Sequence, residues 1–194
     1  MWKVQRVKTG EFLAAKFEES TRVKELAWLN WEARVLHKLK DTAQVPKLHF
    51  IGVESSTKSH IMLMTLLGPS LEELFEKCKY RFDLKTVLLI GVNLIKIIEK
   101  VHGQGIIHRD LKPQNLLLGG TEITQDTIYM VDFGLAKVYR TNNEHIPYKQ
   151  GKGMVGTVRY ASLATHRGVE QSRRDDMEAI GYMMVYFLRG SLPW

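Results

Sequence analysis

The chain has 194 residues, 44% of them hydrophobic and 25% charged, with a formal net charge of +7. These values are typical of a globular protein and exclude a disordered, collagen-like or disulfide-linked chain. A single cysteine, Cys78, indicates a reducing compartment, and no uncharged segment reaches the roughly 18 residues of a membrane-spanning helix. Because the start also lacks the apolar core of a signal peptide, we expect an intracellular protein in the cytoplasm, the nucleus or both.

The excess of basic residues predicts an anionic partner without identifying it. The sequence has no run of five lysines or arginines and no basic segment interleaved with aromatic residues. Those features are typical of nucleic-acid platforms, so we do not expect nucleic acid as the partner. The pattern leaves the oligomeric state open.

Residues 1–67 are predicted to form a small sheet with one helix. Apolar residues alternate along the strands and recur at steps of three and four along the helix. The predicted elements are a hairpin over 1–18, a helix from Thr21 to about Lys40, and strands near 48–53 and 60–67. The apolar stripe of the helix comprises Val23, Leu26, Leu29, Ala33, Leu36 and Leu39.

Residues 68–194 are predicted to be mainly helical, with a loop-rich strand pair. Ser70 and Asp83 can each cap a helix, and Gly68-Pro69 marks the boundary between the two parts. The predicted elements are a short helix from Ser70 through Phe75, a long helix from Leu84 to Val101, apolar runs at 106–107, 116–118 and 128–131, a polar segment over 139–152, and a helix around 178–188. The buried side of the long helix is predicted to carry Val87, Leu88, Ile95, Ile98 and Val101. This order predicts an α+β, two-lobed fold with a ligand between the lobes.

A rare motif lies in the second part of the chain. Residues 108–115 read H-R-D-L-K-P-Q-N, and Asp132-Phe133-Gly134 follows. Six specified residues at such positions are expected by chance on the order of 10⁻⁶ times in a chain of this length. Taken singly, Asp110 and Asp132 would be interpreted as acids on surface loops, whereas together they predict a catalytic site.

The motif resembles the catalytic core of the protein kinases, which transfer a phosphoryl group from ATP. The residue types suit that chemistry, because Asp110 can accept the proton of an attacking hydroxyl and Lys112 can stabilise charge on the transferred group. Asn115 and Asp132 offer oxygen ligands of the kind that Mg²⁺ prefers. The resemblance therefore implies ATP and Mg²⁺ as cofactors.

The resemblance extends upstream. Leu13-Ala14-Ala15-Lys16 is similar to the kinase strand that carries the nucleotide-binding lysine, and Glu32 lies on the helix expected to supply its ion-pair partner. Without the downstream motif, both would be interpreted as solvated charges. Residues implied to line the adenine pocket are Met64, as the gatekeeper, and Thr65, Leu66 and Leu67 through their backbone.

In the last third the sequence resembles the casein kinase 1 family of serine/threonine kinases. The segments that carry this resemblance are Tyr139-Arg140 with 145–148, G-T-V-R-Y-A-S at 156–162, and G-V-E-Q-S-R-R-D-D at 168–176. The tau-tubulin kinases share the middle segment, but the last one favours casein kinase 1. Residues that depart from the family pattern are Gln114, Leu116 and, in the hinge, Thr65.

The family resemblance implies acidic or already phosphorylated protein substrates. Arg159 is aligned with the anion-binding arginine of the family. Thr157 is implied to brace Asp110 and Lys112, and Asp176 is implied to anchor the catalytic loop, which carries the motif at 108–115.

The glycine-rich loop of a kinase would lie before Trp2, and further helices would follow Trp194. The resemblance therefore implies a kinase domain truncated at both ends, with 1–67 and 68–194 as incomplete lobes and with weak activity. We expect an exposed sheet edge at Trp2 and some exposed apolar surface on the last helix. The helix residues concerned are Ile180, Met183, Met184 and Phe187. A second hypothesis is a non-catalytic kinase-like fragment that binds protein partners.

Overall fold

The computed structural model describes residues 1–18, 26–54 and 58–194. Its first part is a four-stranded antiparallel sheet in the order β1-β2-β4-β3, with helix α1 packed against it. The second part is mainly helical, which confirms the α+β class. The elements of the first part are β1 (Trp2–Gln5), β2 (Phe12–Glu18), α1 (Leu26–Lys38), β3 (Leu48–Val53) and β4 (His60–Thr65).

Burial alternates along β4, as predicted, but not along β2, where Leu13, Ala14 and Ala15 are all buried. Strand β1 pairs only with β2 among the described residues, so Trp2 lies on a sheet edge and is 68% exposed. Strand β4 ends at Thr65, two residues before the predicted end. The N–H of Gly68 donates to the carbonyl of Leu118, at 2.8 Å, because the backbone has left the sheet by this point.

Helix α1 packs through the apolar stripe that the sequence predicts. Leu29, Ala33, Leu36 and Leu39 are all buried. Residues 21–25 of the predicted helix, including Val23, lie outside the described residues, as does the side chain of Leu26. The helix ends at Lys38 with His37 and Lys38 in its last turn, where positive charge is favourable to the helix dipole.

The second part of the described chain contains four α-helices and several short elements. The helices are α2 (Leu71–Lys77), α3 (Leu84–Gly103), α4 (Leu163–His166) and α5 (Arg173–Arg189). The short strands are β5 (Ile106–Ile107), β6 (Leu116–Leu118), β7 (Ile128–Met130), β8 (Lys137–Val138), β9 (Arg140–Thr141) and β10 (Glu144–His145). Single turns of 3₁₀ helix cover Pro113–Asn115, Phe133–Leu135 and Val158–Tyr160.

Both predicted helix caps are present. The side chain of Ser70 accepts a hydrogen bond from the backbone N–H of Glu73, while Glu73 accepts one from Ser70, and the two bonds form a capping box. The carboxylate of Asp83 accepts from the backbone N–H of Thr86 at 2.7 Å. Local side-chain chemistry therefore fixes where α2 and α3 begin.

The predicted buried side of α3 is partly wrong. Val87, Ile98 and Val101 are buried, but Leu88 is 51% and Ile95 is 47% exposed. Because α3 is apolar almost all round, its sequence fits more than one buried stripe, and contact with α5 selects the one that is used. The buried residues that the prediction omitted include Ile90, Leu94 and Ile97.

Helix α5 begins at Arg173, five residues before the predicted start. Ser172 and Asp175 form a capping box, and the first turn is charged, so hydrophobic periodicity does not reveal it. The expected exposure of this helix is wrong for Ile180, Met183 and Phe187, which are buried, and Met184 is partly buried. The exposed apolar residues on α5 are Met177 and Val185.

The polar segment over 139–152 contains a small hairpin that the sequence pattern did not predict. Strands β9 and β10 pair across Asn142 and Asn143, whose φ angles are 51° and 65°. Two consecutive left-handed residues are typical of a type I′ turn, and asparagine tolerates that conformation well. Strands of two residues are too short to show alternation.

One hydrophobic core extends from the sheet into the helical part. None of the helices in the described part of the chain is long and apolar enough to cross a membrane. An aromatic cluster lies at the base of the helical part, centred on Phe75, which is fully buried. The ring centroids around it lie at 4.9 Å for Phe82, 5.0 Å for Tyr186 and 5.2 Å for Phe187.

We predict that Phe75→Ala lowers the free energy of unfolding by about 3–5 kcal/mol, because it leaves a cavity that rigid aromatic neighbours cannot fill. Urea denaturation followed by tryptophan fluorescence would measure this loss. Phe17→Ala is the matched control, because Phe17 is 45% exposed and should cost much less. Equal losses for the two variants would contradict the central role of Phe75.

Candidate active site

Lys16 connects three elements at the junction of the sheet and the helical part. Its ammonium lies 2.7 Å from the carboxylate of Glu32 on α1 and 3.1 Å from that of Asp132, just after β7. Glu32 is buried, with 2% exposure. Burial lowers the pKa of Lys16, but the two carboxylates outweigh burial and raise it above its ordinary value. The lysine therefore stays charged, and the structure brings together three of the predicted site residues.

A second group of predicted residues surrounds Asp110. One carboxylate oxygen accepts from Lys112 at 2.7 Å and the other from the hydroxyl of Thr157 at 2.6 Å. Lys112 also donates to the hydroxyl of Thr157 at 3.2 Å. Burial raises the pKa of the Asp110 carboxyl, but the bonds from Lys112 and Thr157 outweigh burial and hold it below its ordinary value. Asp110 is thus an ionised carboxylate in a fixed orientation.

Asn115 lies beside this group at the end of a 3₁₀ turn. Its amide nitrogen donates to the backbone carbonyl of Asp110 at 2.9 Å, and its backbone carbonyl accepts from the N–H of Val131 at 3.0 Å. These bonds join the loop after β5 to the segment that leads to Asp132. The amide oxygen of Asn115 makes no hydrogen bond within the described residues.

The backbone at the site includes two non-glycine residues in the left-handed region. The φ angle is 68° at Arg109 and 62° at Asp132. Such conformations are uncommon outside glycine and cluster at functional sites. At Gly156, where φ is +97°, an added Cβ would overlap the carbonyl oxygen of Arg109. Glycine is therefore required where the segment carrying Thr157 passes the catalytic loop.

Asp176, near the start of α5, holds the catalytic loop from below. Its carboxylate accepts from the backbone N–H groups of His108 and Arg109, both at 2.9 Å. The imidazole of His102 lies 2.8 Å from the same carboxylate. Since Asp176 is 3% exposed, these bonds are shielded from water. The hydrogen bonds are those expected of the anchor that the resemblance implied.

The hinge residues lie at the end of β4 and in the segment that leads from it to α2. Met64 is buried, and the N–H of Thr65 donates to the carbonyl of Lys47 at 3.0 Å. The N–H groups of Leu66 and Leu67 make no hydrogen bond within the described residues. They are therefore available donors, as binding of an adenine edge requires, and their role stays a prediction.

Arg159 lies apart from both charged groups. It is exposed, its carbonyl accepts from the indole N–H of Trp194 at 3.0 Å, and its guanidinium lies 5.9 Å from the ring centroid of Tyr186. In the sequence Arg159 is two residues from Thr157, whose hydroxyl bonds to Asp110.

Sequence reasoning missed two polar contacts that support the site. His102 bonds to Asp176 across 74 residues of sequence, and the Ser162 hydroxyl donates to the buried carboxylate of Asp175 at 2.5 Å. No periodicity or spacing signal marks such pairs, because each residue also fits an ordinary helix or loop position.

A comparison with protein-family models identifies the family of the chain that carries these two charged groups. The model of the protein kinase domain matches residues 1–194. The chain belongs to the protein kinase domain family. This confirms the kinase resemblance of the H-R-D and D-F-G motifs and identifies a phosphotransferase, for which ATP is the expected phosphoryl donor.

Protein kinase domains typically use a divalent metal with ATP, and the donor set of this kinase fits one. A hard divalent cation takes oxygen ligands, and the Asp132 carboxylate and the Asn115 amide oxygen are both oxygen donors. The side chain of Asp132 is 42% exposed, so it is accessible from the junction of the two parts. Asp132 and Asn115 would hold the metal, and Lys16 would face the phosphates.

We predict that Lys112→Met raises the pKa of the Asp110 carboxyl. The substitution removes an ammonium that favours the charged form, whereas Asp110 stays buried, and burial favours the neutral form. The pKa of Asp110 is lower in the folded protein than in the unfolded chain, so the ionised carboxylate stabilises the fold at pH values above the unfolded pKa. This stabilisation is lost as the pH falls through the pKa of the folded protein. A ¹³C NMR titration of the Asp110 carboxyl would measure the shift. Lys96→Met, at an exposed position on α3, is the control, and an unchanged Asp110 pKa in Lys112→Met would contradict the assigned pairing.

Proposed function

We propose that this protein kinase transfers the γ-phosphoryl group of Mg·ATP to serine or threonine hydroxyls of acidic or phosphate-primed intracellular proteins. The observation that carries the proposal is the network of Asp110, Lys112 and Thr157, with bonds of 2.7, 3.2 and 2.6 Å. It presents an ionised carboxylate beside a fixed ammonium. The resemblance to casein kinase 1 over residues 139–176 supports the choice of hydroxyl and substrate.

In this mechanism Asp110 orients the substrate hydroxyl and receives its proton. The hydroxyl oxygen forms a bond to the γ-phosphorus while the bond from that phosphorus to the ADP oxygen breaks. Lys112 stabilises the negative charge on the transferred group, and Thr157 keeps both side chains in place. Lys16, oriented by Glu32, holds the α- and β-phosphates. When bound by Asn115 and Asp132, Mg²⁺ supplies neutralisation of phosphate charge.

Substrate choice would depend on Arg159. A guanidinium binds phosphate or carboxylate through two parallel hydrogen bonds, and this one is exposed. No carboxylate lies within ion-pair distance of Arg159 in the described part of the chain. The formal charge of +7 also favours anionic protein partners.

We predict that Asp110→Asn lowers kcat by about 10²–10⁴-fold, because the amide cannot accept the hydroxyl proton. Phosphate transfer from labelled ATP to matched serine, threonine and tyrosine peptides would measure the loss and the hydroxyl preference together. Asp126→Asn, the same chemical change at an exposed position, is the control. Near-equal turnover of Asp110→Asn and wild type would refute the role of Asp110 and favour the non-catalytic hypothesis.

We also predict that Arg159→Ala raises KM for a phosphate-primed peptide by about tenfold or more, because a charge-assisted bidentate contact is lost. The unprimed form of the same peptide should be affected much less. Arg167→Ala, at another exposed arginine, controls for the general loss of positive charge. If Arg159→Ala changed primed and unprimed peptides equally, Arg159 would not select the substrate.

A further inference from the structure

A carboxylate on α2 lies near Arg159 without pairing with it. Glu72 and Arg159 both lie beside the same aromatic side chain, that of Tyr186. The hydroxyl of Tyr186 donates to one carboxylate oxygen of Glu72 at 3.2 Å, and the Arg159 guanidinium lies 5.9 Å from the centroid of the Tyr186 ring. The two charges are therefore neighbours, yet they are farther apart than an ion pair.

The second carboxylate oxygen of Glu72 is unusual. It is buried and has no hydrogen-bond partner within the described residues, and the same is true of the hydroxyl of Tyr160. Burial raises the pKa of the Glu72 carboxyl above its ordinary value, and the charge of Glu76 adds to this, although the bond from Tyr186 and the charge of Arg159 lower it. Such a carboxylate is short of donors, and Arg159 is the cation whose charge acts on it, so that guanidinium is its natural partner.

The Tyr186 hydroxyl keeps that partner away. Tyr186 is 5% exposed and is held among Phe75, Phe187 and Tyr160, so its position is fixed. While Tyr186 bonds to Glu72, the carboxylate forms no ion pair with Arg159 within the described residues, so it can repel an incoming anion without neutralising the guanidinium. An incoming anion can thus still bind the Arg159 guanidinium, but less tightly than if Glu72 were uncharged.

We propose that Glu72, held by the Tyr186 hydroxyl, is a specificity-determining residue that limits how tightly Arg159 binds the anionic group of a substrate. The inference rests on the proposed function, because it requires Arg159 to be the anion site. Glu72 and Tyr186 have opposite effects on the binding of an anion by Arg159. Glu72 weakens anion binding by repulsion, and Tyr186 protects Arg159 from direct pairing with Glu72.

The test uses one peptide in two forms, with phosphoserine or serine on the N-terminal side of the target residue. Glu72→Gln keeps the size and the acceptor for Tyr186 but removes the charge. Its KM for the phosphorylated form should fall about threefold to tenfold with kcat retained, a size set by Coulomb repulsion near a screened surface. Tyr186→Phe should act in the opposite direction and raise that KM, because Glu72 can then turn to Arg159.

Glu76→Gln is the matched control, since it removes an exposed charge one turn further along α2. The inference is overturned if Glu72→Gln changes both peptides equally, if it lowers kcat for both, or if Glu76→Gln has the same effect. Should Glu72→Gln not fold, the sign of the Tyr186→Phe effect decides.

The failure of this inference can be told apart from failure of the proposed function. If Arg159→Ala leaves the preference for the phosphorylated peptide intact, the substrate part of the proposed function is wrong and the inference is wrong with it. If Arg159→Ala abolishes the preference while Glu72→Gln and Tyr186→Phe leave it unchanged, only the role of Glu72 is overturned.

Discussion

The geometry of the site depends on one buried carboxylate. Asp176 accepts hydrogen bonds from two successive backbone N–H groups of the catalytic loop and is itself paired with His102. A buried carboxylate is stable only when its oxygens accept hydrogen bonds. This explains why the imidazole of His102 and the N–H groups of His108 and Arg109 converge on Asp176. Because α3 carries His102, α5 carries Asp176 and both helices contribute to the hydrophobic core, the loop that leads to Asp110 is tied to that core.

Lys16 performs a comparable task between the two parts of the fold. Its ion pairs join a strand of the sheet, the helix beside it and the segment that carries Asp132. The sheet and the helical part also share one hydrophobic core, which limits how far they can separate. The two parts are therefore joined by a polar link through Lys16 and by an apolar link through the core.

The sequence predicted best what depends on local chemistry. Ser70 and Asp83 were identified as caps because a cap needs only a few neighbouring residues, and the motif residues were identified because their spacing is rare. The buried side of α3 could not be chosen, since Leu88 and Ile95 are as apolar as the residues that are buried in their place. The bond between His102 and Asp176 links residues 74 positions apart, and the hairpin at Asn142 has strands of two residues, so neither leaves a periodic signal.

The close approach of Gly156 to Arg109 has a mechanical consequence. At this point two stretches of chain touch through backbone atoms, with no intervening side chain that could deform and absorb movement. The next residue of each stretch, Thr157 and Asp110, forms the shortest bond of the catalytic network, at 2.6 Å. A shift of the segment around Gly156 would therefore be transmitted directly to the carboxylate of Asp110.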